Sequence, residues 1–441
     1  MLDKEKNKLF INGENKLDCE EYNITKIKYI LKNYLELDNV SFLFGAGTSI
    51  ILGGRSIRTI PLKIEEAIKP DTKAYEEFIN ILKQLQEQDD IKREQNGEID
   101  YPLENLLNYL IAINFVKQEI KVPYEHVDPI IGIIKEALFN LCDIEKAPLP
   151  DSLLPDVSAK LKDNRYYYHE FFTKKLLQRQ LNLKRANIFT TNYDLAFDTA
   201  FDNLGVNYIS GFSGFHKRYF KPETFNYDIF FPGSTTQGKI ERIEKVLRYF
   251  KIHGSLTWVG ESPSPNCVYG IKELPIELIR KNKEYKNLII YPTTVKKSYT
   301  LDYPYSELLR QFSTSISQPQ SVLITFGYSF GDEHINDLIY QALTIPSFTL
   351  IIIDFKGTEN PEIKRLCELK DPRVIIMQGK ELGAFPFFVT KIMPDLIDID
   401  TNEKISQSMQ KILCTENKQE APATPKQPSE AVTIVDDKPF Q

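Results

Sequence analysis

Four short apolar runs in this chain each stop at a glycine or a knot of small polar residues, and that punctuation constrains its fold more than any other feature. Val40–Phe44 stops at Gly45-Ala46-Gly47-Thr48-Ser49, and Ala186–Thr190 leads into Thr191-Asn192-Tyr193-Asp194. Tyr249–Ile252 ends at His253-Gly254-Ser255, and Val322–Phe326 at Gly327-Tyr328-Ser329-Phe330-Gly331-Asp332. Short runs of this kind read as buried strands, and amphipathic helical patterns alternate with them. The combination predicts an α/β class chain: a Rossmann-like doubly wound parallel sheet with helices on both faces. Ligands of such sheets lie beyond the C-terminal ends of the strands, so all four segments are expected at one edge.

The rest of the chain fits around this frame. Ile24, Ile27, Leu31 and Tyr34 share one helical face within residues 20–37, so residues 1–37 read as an N-terminal extension with a helix. Residues 61–180 carry helical periodicity over 72–86, 102–121, 128–145 and 166–181, broken by the polar stretch Glu87–Asp100 and the proline-containing link Ala147–Pro155. They are expected to form a large helical insertion in a domain spanning 38–400. Leu288–Tyr291, Thr349–Ile353 and Val374–Met377 complete the expected strand series, with helices from Asp194 to about Leu204, near 303–316 and from about Asp332. From about residue 415 the chain turns polar and proline-rich, and 415–441 is predicted to be a disordered tail.

Composition excludes several functions. A net charge of −6 argues against direct nucleic-acid binding, which needs concentrated Lys and Arg. Cys19, Cys142, Cys267, Cys367 and Cys414 lie too far apart for a local CxxC site, so neither a zinc ribbon nor a redox pair is expected, and no metal. The N-terminus is charged and lacks the apolar stretch of a signal peptide, and the longest apolar runs are too short to span a bilayer. A soluble, cytoplasmic protein without membrane contact is the expectation.

Each punctuated segment admits a chemical and a structural reading. Gly45 and Gly47 let backbone approach a pyrophosphate, with a following helix offering free N–H groups; GxG turns also occur throughout α/β proteins. No Gly-Lys-Ser/Thr follows, so the segment is not a Walker A loop. Asn192 and Asp194 suit the orientation of a ribose and a water, and equally a turn with a helix cap. The imidazole of His253 suits removal of a proton from a ribose hydroxyl; a buried histidine with both nitrogens hydrogen-bonded is the structural alternative. The Gly327–Asp332 segment suits phosphate or ribose contact, or a strand–turn–helix link capped by Asp332. Gly211–Phe220 mixes aromatic and basic residues and reads as a pocket-lining loop or as ordinary surface.

Taken together and in order, the four segments resemble the sirtuin superfamily, specifically its NAD-hydrolysing branch from prokaryotic defence systems. Gly45-Ala46-Gly47-Thr48-Ser49 is similar to the family's GAG-x-S loop, and Thr191–Asp194 stands where sirtuins have Gln-Asn-Ile-Asp. His253-Gly254 is similar to the catalytic His-Gly pair, and Gly327-Tyr328-Ser329 to the later Gly-Thr-Ser. The resemblance covers roughly residues 38–60 and 185–400.

It implies that NAD, as substrate, lies across the C-terminal edge of the sheet. Gly45, Ala46, Gly47 and Ser49 would meet the pyrophosphate and Ser329 the adenosine side, with Thr48, Thr191 and Gly327 in the same cofactor-binding set. Asp354, after Leu350–Ile353, would take an adenosine ribose hydroxyl or be a solvated strand end. Asn192 would position the nicotinamide ribose and the attacking water, Asp194 would support that network, and His253 would be the base. The implied activity is that of an NAD glycohydrolase depleting NAD as an antiphage effector. Its implied setting is a homo-oligomer complexed with a HerA-type hexameric ATPase.

Two departures disfavour the alternative of an NAD-dependent protein deacylase. Residues 256–287 hold only Cys267, not a four-cysteine zinc module, and Thr293–Ser298 lacks Phe-Gly-Glu. Intact Asn192 and His253 argue against a non-catalytic scaffold. Arg55-Ser-Ile-Arg58 differs from the sirtuin Pro-x-Phe-Arg loop, leaving the nicotinamide contacts unassigned.

Overall fold

Two-residue alternation inside the apolar runs sets the architecture. The computed structural model describes residues 3–396 other than 4–5, 19–21, 55–60, 89, 94–98, 100, 102, 120–123, 232–240 and 291–302. Its main sheet contains β1 (Asn7–Ile11), β2 (Asn39–Phe44), β3 (Asn187–Thr190), β4 (Asn207–Ile209), β5 (Val246–Lys251), β6 (Ser321–Phe326), β7 (Thr349–Asp354) and β8 (Val374–Gly379). Their spatial order is β1-β8-β7-β6-β2-β3-β5-β4, with Glu14–Asn15 outside β1. All neighbours from β8 to β4 run parallel, and β1 runs antiparallel to β8. The N-terminal segment therefore contributes an edge strand as well as a helix.

Each strand splits its side chains between two cores. Phe42, Phe44, Ile188, Tyr249, Ile324, Phe326, Ile351 and Ile353 belong to one, while Leu43, Phe189, Phe250, Leu323, Leu350 and Ile352 belong to the other. Helices cover both faces. α1 (Ile24–Leu35) is started by Asn23, whose side chain accepts from the Lys26 N–H, and it buries Ile27, Leu31 and Leu35 at four-residue spacing. α2 (Pro61–Ile68), α3 (Thr72–Gln86), α4 (Leu103–Glu119), α5 (Val127–Cys142), α6 (Pro155–Asp163), α7 (Tyr167–Leu176), α8 (Ala196–Leu204), α9 (Ile276–Asn282), α10 (Tyr305–Ile316), α11 (Glu333–Leu343) and α12 (Pro361–Glu368) follow. α1, α6, α7 and α8 cover the first face; α10, α11 and α12 cover the second. This is the doubly wound, Rossmann-like arrangement expected.

The helical stretch 61–180 divides in two. Residues of α2 to α5 form a third core with Tyr193, Leu256, Val259 and Leu288, whereas Val157, Leu161, Tyr168, Phe172 and Leu176 of α6 and α7 join the first face of the main sheet. Both pieces carry helical patterns, so the presence of such a pattern could not separate them. Leu288–Ile290 is also not in the parallel sheet. It pairs antiparallel with Gly254–Gly260 in a second sheet that includes Ile271–Glu273, Arg218–Phe220 and Phe212–Ser213. The tail from 415 onward lies outside the described residues. Among the described residues, no helix is long and apolar enough to cross a membrane.

One polar residue is set inside the first core. His169 of α7 is fully buried, its ring 4.8 Å from Phe197 and 4.9 Å from Phe385, and neither ring nitrogen has a hydrogen-bond partner among the described residues. Burial alone pushes its pKa down to about 3. The folded state thus keeps the ring neutral, while the unfolded chain takes up a proton below about pH 6.5. Stability is full above that pH and falls as pH drops toward 3. Wild type is expected to lose about 2 kcal/mol more than His169→Phe between pH 7 and pH 5, measured by urea unfolding. Parallel pH dependence of the two proteins would refute this.

Candidate active site at the rim of the sheet

One continuous register aligns the strand ends. Phe44 pairs with Thr190 on one side and Phe326 on the other; Thr190 pairs with Lys251, and Phe326 with Ile353. The punctuated segments therefore all leave the sheet at one level of one rim. Asn192 and His253 each lie two residues past the Thr190–Lys251 pair, on strands that neighbour at about 4.8 Å. The chain leaves β2 for β3 on one side and returns through β6 on the other. That puts the switch point between β2 and β6, where the two glycine turns meet.

Those turns touch backbone to backbone. A Cβ on Gly47 would lie 2.6 Å from the Gly327 Cα, one on Gly45 2.4 Å from the Gly327 oxygen, and one on Gly327 2.5 Å from the Gly47 Cα. Gly327 also has φ +58°, a left-handed conformation that favours glycine. The Gly45 N–H donates to Phe326 O at 3.0 Å and the Gly47 N–H to Gly327 O at 3.2 Å. Thr48 and Ser49 donate their N–H groups to Gly45 O and Ala46 O. The glycines expected to admit a pyrophosphate thus have a nearer task, which is to let two loops interlock. Of the five N–H groups in the turn, only that of Ala46 has no acceptor among the described residues. The expected α-helix after the turn is also replaced by two single turns of 3-10 helix, Ala46–Thr48 and Ile50–Leu52. Buried Ile51 and Leu52 draw the chain into the first core there.

Asn192 is tied to this turn. Its Nδ2 donates to Gly45 O at 3.0 Å and lies 3.1 Å from both the Thr48 and Ser49 hydroxyl oxygens. A carbonyl can only accept, so the nitrogen must face the turn, and the carboxamide oxygen faces away from it. Thr190 and Thr191 anchor the same junction through Phe44 O, and the Asn192 N–H donates to the Thr190 hydroxyl. Asp194 lies buried beneath. Its carboxylate accepts from the Ser49 hydroxyl at 2.6 Å and from the Ala196 N–H at 3.0 Å, at the start of α8. Burial raises its pKa; the Ser49 hydrogen bond, the Lys251 charge and the Ala196 N–H offset part of that rise. Lys251, itself buried, donates to Asp194 O at 2.5 Å and to Asp198 at 3.0 Å.

His253 follows the neighbouring strand, β5. Its Nε2 is 2.9 Å from Asp332 Oδ2, and the Tyr193 ring lies 6.4 Å away. Asp332 is the residue missed as a functional one: it was legible only as a helix cap. It is that cap, since Oδ1 accepts from the His334 and Ile335 N–H groups at 2.9 and 3.1 Å. No local signal could pair it with a histidine 79 residues earlier. Burial works to raise its pKa, but the His253 hydrogen bond and charge and the Ile335 N–H more than reverse this, holding it below the usual carboxylate range.

Ser329 is exposed, and its carbonyl accepts from Asn360 at 2.6 Å. Asp354 uses Oδ1 to accept from the Lys356 and Gly357 N–H groups, so part of its carboxylate is committed to its own turn. Gly211–Phe220 is mainly structural: Phe212 and Phe220 are buried in the second core, and only its tip projects Phe215 into solvent. Arg55–Arg58 and Thr293–Ser298 lie outside the described residues. Cys267, buried, donates its thiol to Ile271 O.

With this geometry in place, residues 186–365, from β3 to α12, match the family model of the SIR2-like domain. The match supports a Sir2-superfamily protein with NAD-related chemistry. It contains Asn192, Asp194, His253, Asp332 and Asp354; the Gly45–Ser49 turn lies outside it and joins the site through space. No curated protein matches the chain.

The interlocked glycines give a direct test. Gly327→Ala is expected to cost about 3 kcal/mol or more of unfolding free energy, because the new Cβ meets backbone that cannot move aside. Gly205→Ala, also at positive φ (+63°) but with open space around it, should cost only about 1 kcal/mol. Equal losses would refute the interlock.

Proposed function

We propose that this chain hydrolyses NAD at the nicotinamide–ribose bond, giving nicotinamide and ADP-ribose. One observation carries the reading: a carboxamide on Asn192 held through its nitrogen and an anion-backed imidazole on His253 stand on neighbouring strand ends of one rim. Its support from comparison is the SIR2-like match over these residues.

The C1′–N bond breaks with its electron pair passing to the ring nitrogen, so the pyridinium leaves as neutral nicotinamide. A water oxygen bonds to C1′, and that water's spare proton is released. Positive charge develops on the ribose as the bond lengthens. Asn192, through its oxygen, holds the water. His253 draws the proton from a ribose hydroxyl, which stabilises the charge. Asp194 holds Ser49 and through it the Asn192 carboxamide. Gly45 to Ser49, Thr191, Gly327, Ser329 and Asp354 form the remaining contact surface, Ala46 offering the N–H that its turn does not use.

The same resemblance extends to a cellular role. In it, the chain forms the NAD-depleting part of an antiphage system, as a homo-oligomer with a HerA-type ATPase. Control by assembly fits an activity that would harm its own cell if unrestrained.

Purified protein is expected to release nicotinamide and ADP-ribose in equal amounts from NAD, alone or with a HerA-type ATPase, read by chromatography. His253→Ala and Asn192→Ala should each lower turnover by ~10²–10⁴-fold. Undiminished turnover in both variants, or none by wild type in any combination, would overturn the reading. NAD consumption strictly dependent on an acetyl-lysine peptide would point to deacylation instead.

A further inference from the structure

We propose that Asp332 is a positioning residue that fixes His253 as the Nε2–H tautomer, so that Nδ1 is the nitrogen that accepts the substrate's proton. The proposal deepens the NAD-hydrolase reading and rests on it for the identity of that substrate. It goes beyond that reading by assigning each ring nitrogen a task and adding a residue to the machinery.

The geometry assigns each oxygen of Asp332 separately. Oδ1 accepts two backbone N–H groups at the start of α11, and Oδ2 lies 2.9 Å from His253 Nε2. Free N–H groups and the positive end of an eleven-residue helix favour the ionised carboxylate. An ionised carboxylate can only accept, so Nε2 must carry the hydrogen. In the neutral ring the lone pair then resides on Nδ1.

The loop that presents Asp332 is braced on every side. Gly327 and Phe330 both take left-handed φ values, +58° and +52°. The Tyr328 and Phe330 rings pack 4.9 Å apart in the second core. The Tyr328 hydroxyl donates to Asn336 Oδ1 at 3.0 Å, and Asn336 returns a hydrogen bond from Nδ2 to Phe330 O at 2.8 Å. Asn336 belongs to α11, so loop and helix move as one piece, and Oδ2 is aimed rather than left to swing. A helix cap alone would require none of this at the second oxygen.

During the reaction the ribose O–H bond breaks, the oxygen keeps the electron pair, and the proton bonds to Nδ1. The resulting imidazolium faces the Asp332 anion, which stabilises it without taking the proton. As the water adds to C1′, the proton returns from Nδ1 to the ribose oxygen, so the one proton released to solvent is the water's. Asp332 touches neither substrate nor water in this scheme; it acts through the ring.

Asp332→Asn tests the assignment. Asparagine is as good an N-cap as aspartate, so its Oδ1 can keep α11 started. Its Nδ2 then faces His253 and donates, so Nε2 must accept and the ring hydrogen moves to Nδ1. kcat for NAD is expected to fall by ~10²–10⁴-fold with KM within about threefold. In parallel, ¹⁵N-histidine NMR of the neutral ring, assigned with His253→Gln, should show Nε2 protonated in wild type and Nδ1 protonated in the variant. An unchanged kcat, or a wild-type ring protonated at Nδ1, would overturn the proposal. If wild type does not cleave NAD, the function reading fails and the NMR arm still decides the tautomer. The wild-type spectrum alone decides it should the variant fold poorly.

Discussion

The contact between the Gly45–Ser49 turn and Gly327 is the constraint on which the rest of the site depends. It occurs where the order of strands reverses, the one place in a doubly wound sheet where neighbouring crossovers part to opposite faces. Locking the two turns there fixes the level at which β2 and β6 end. The register carries that level to β3, β5 and β7, so one steric fit at the centre of the rim sets the height of Asn192, His253 and Asp354 together. Asn192 reads the turn directly through Gly45 O, so a shift of the turn by an ångström would move the carboxamide with it.

From this follows a division of labour between neutral and charged groups. The surface of the turn is neutral: glycines, an alanine, two hydroxyls and a carboxamide. The charges lie one layer beneath, where Asp194, Lys251 and Asp198 hold one another and the Ser49 hydroxyl. A carboxylate this deeply buried is costly unless each oxygen has a partner, and Asp194 has one for each, Ser49 and Ala196. Removing Lys251 would leave a desolvated carboxylate layer beneath the turn, so its role is to hold the site's foundation. On the His253 side the order is inverted. There the anion, Asp332, borders the imidazole, and the helix end behind it supplies the compensation.

Much of this was legible in the chain, and the reasons are local. Val40–Phe44 and Val322–Phe326 are short, apolar and glycine-terminated, so strand, end and rim could all be read from a dozen residues. The order of motifs placed Asn192 and His253 at one edge, because parallel strands with right-handed crossovers deliver every C-terminal end to the same side. What failed to show was decided at long range. Leu288–Ile290 is as apolar as a strand of the parallel sheet, and only its partner, Gly254–Gly260, makes it antiparallel. α5 and α7 both carry apolar residues at helical spacing, yet one packs with the second sheet and the other with the first. Asp332 looked complete as a cap, because a side chain with one satisfied role gives no hint of a second.

The placement of the third core bears on how such a site is closed to water. Tyr193 is the residue between Asn192 and Asp194, and its ring packs not with the main sheet but with α2 to α5, Leu256 and Leu288. Leu256 in turn donates its N–H to Tyr193 O, three residues after His253. The loop that carries the carboxamide and the strand that follows the imidazole are thus joined to each other and to one helical block. Hydrolysis at a sugar carbon needs one water held in place and bulk water kept out, because a dry surround strengthens every electrostatic contact within. Under the proposed reaction, an apolar block packed on both Tyr193 and Leu256 would serve both demands with one surface.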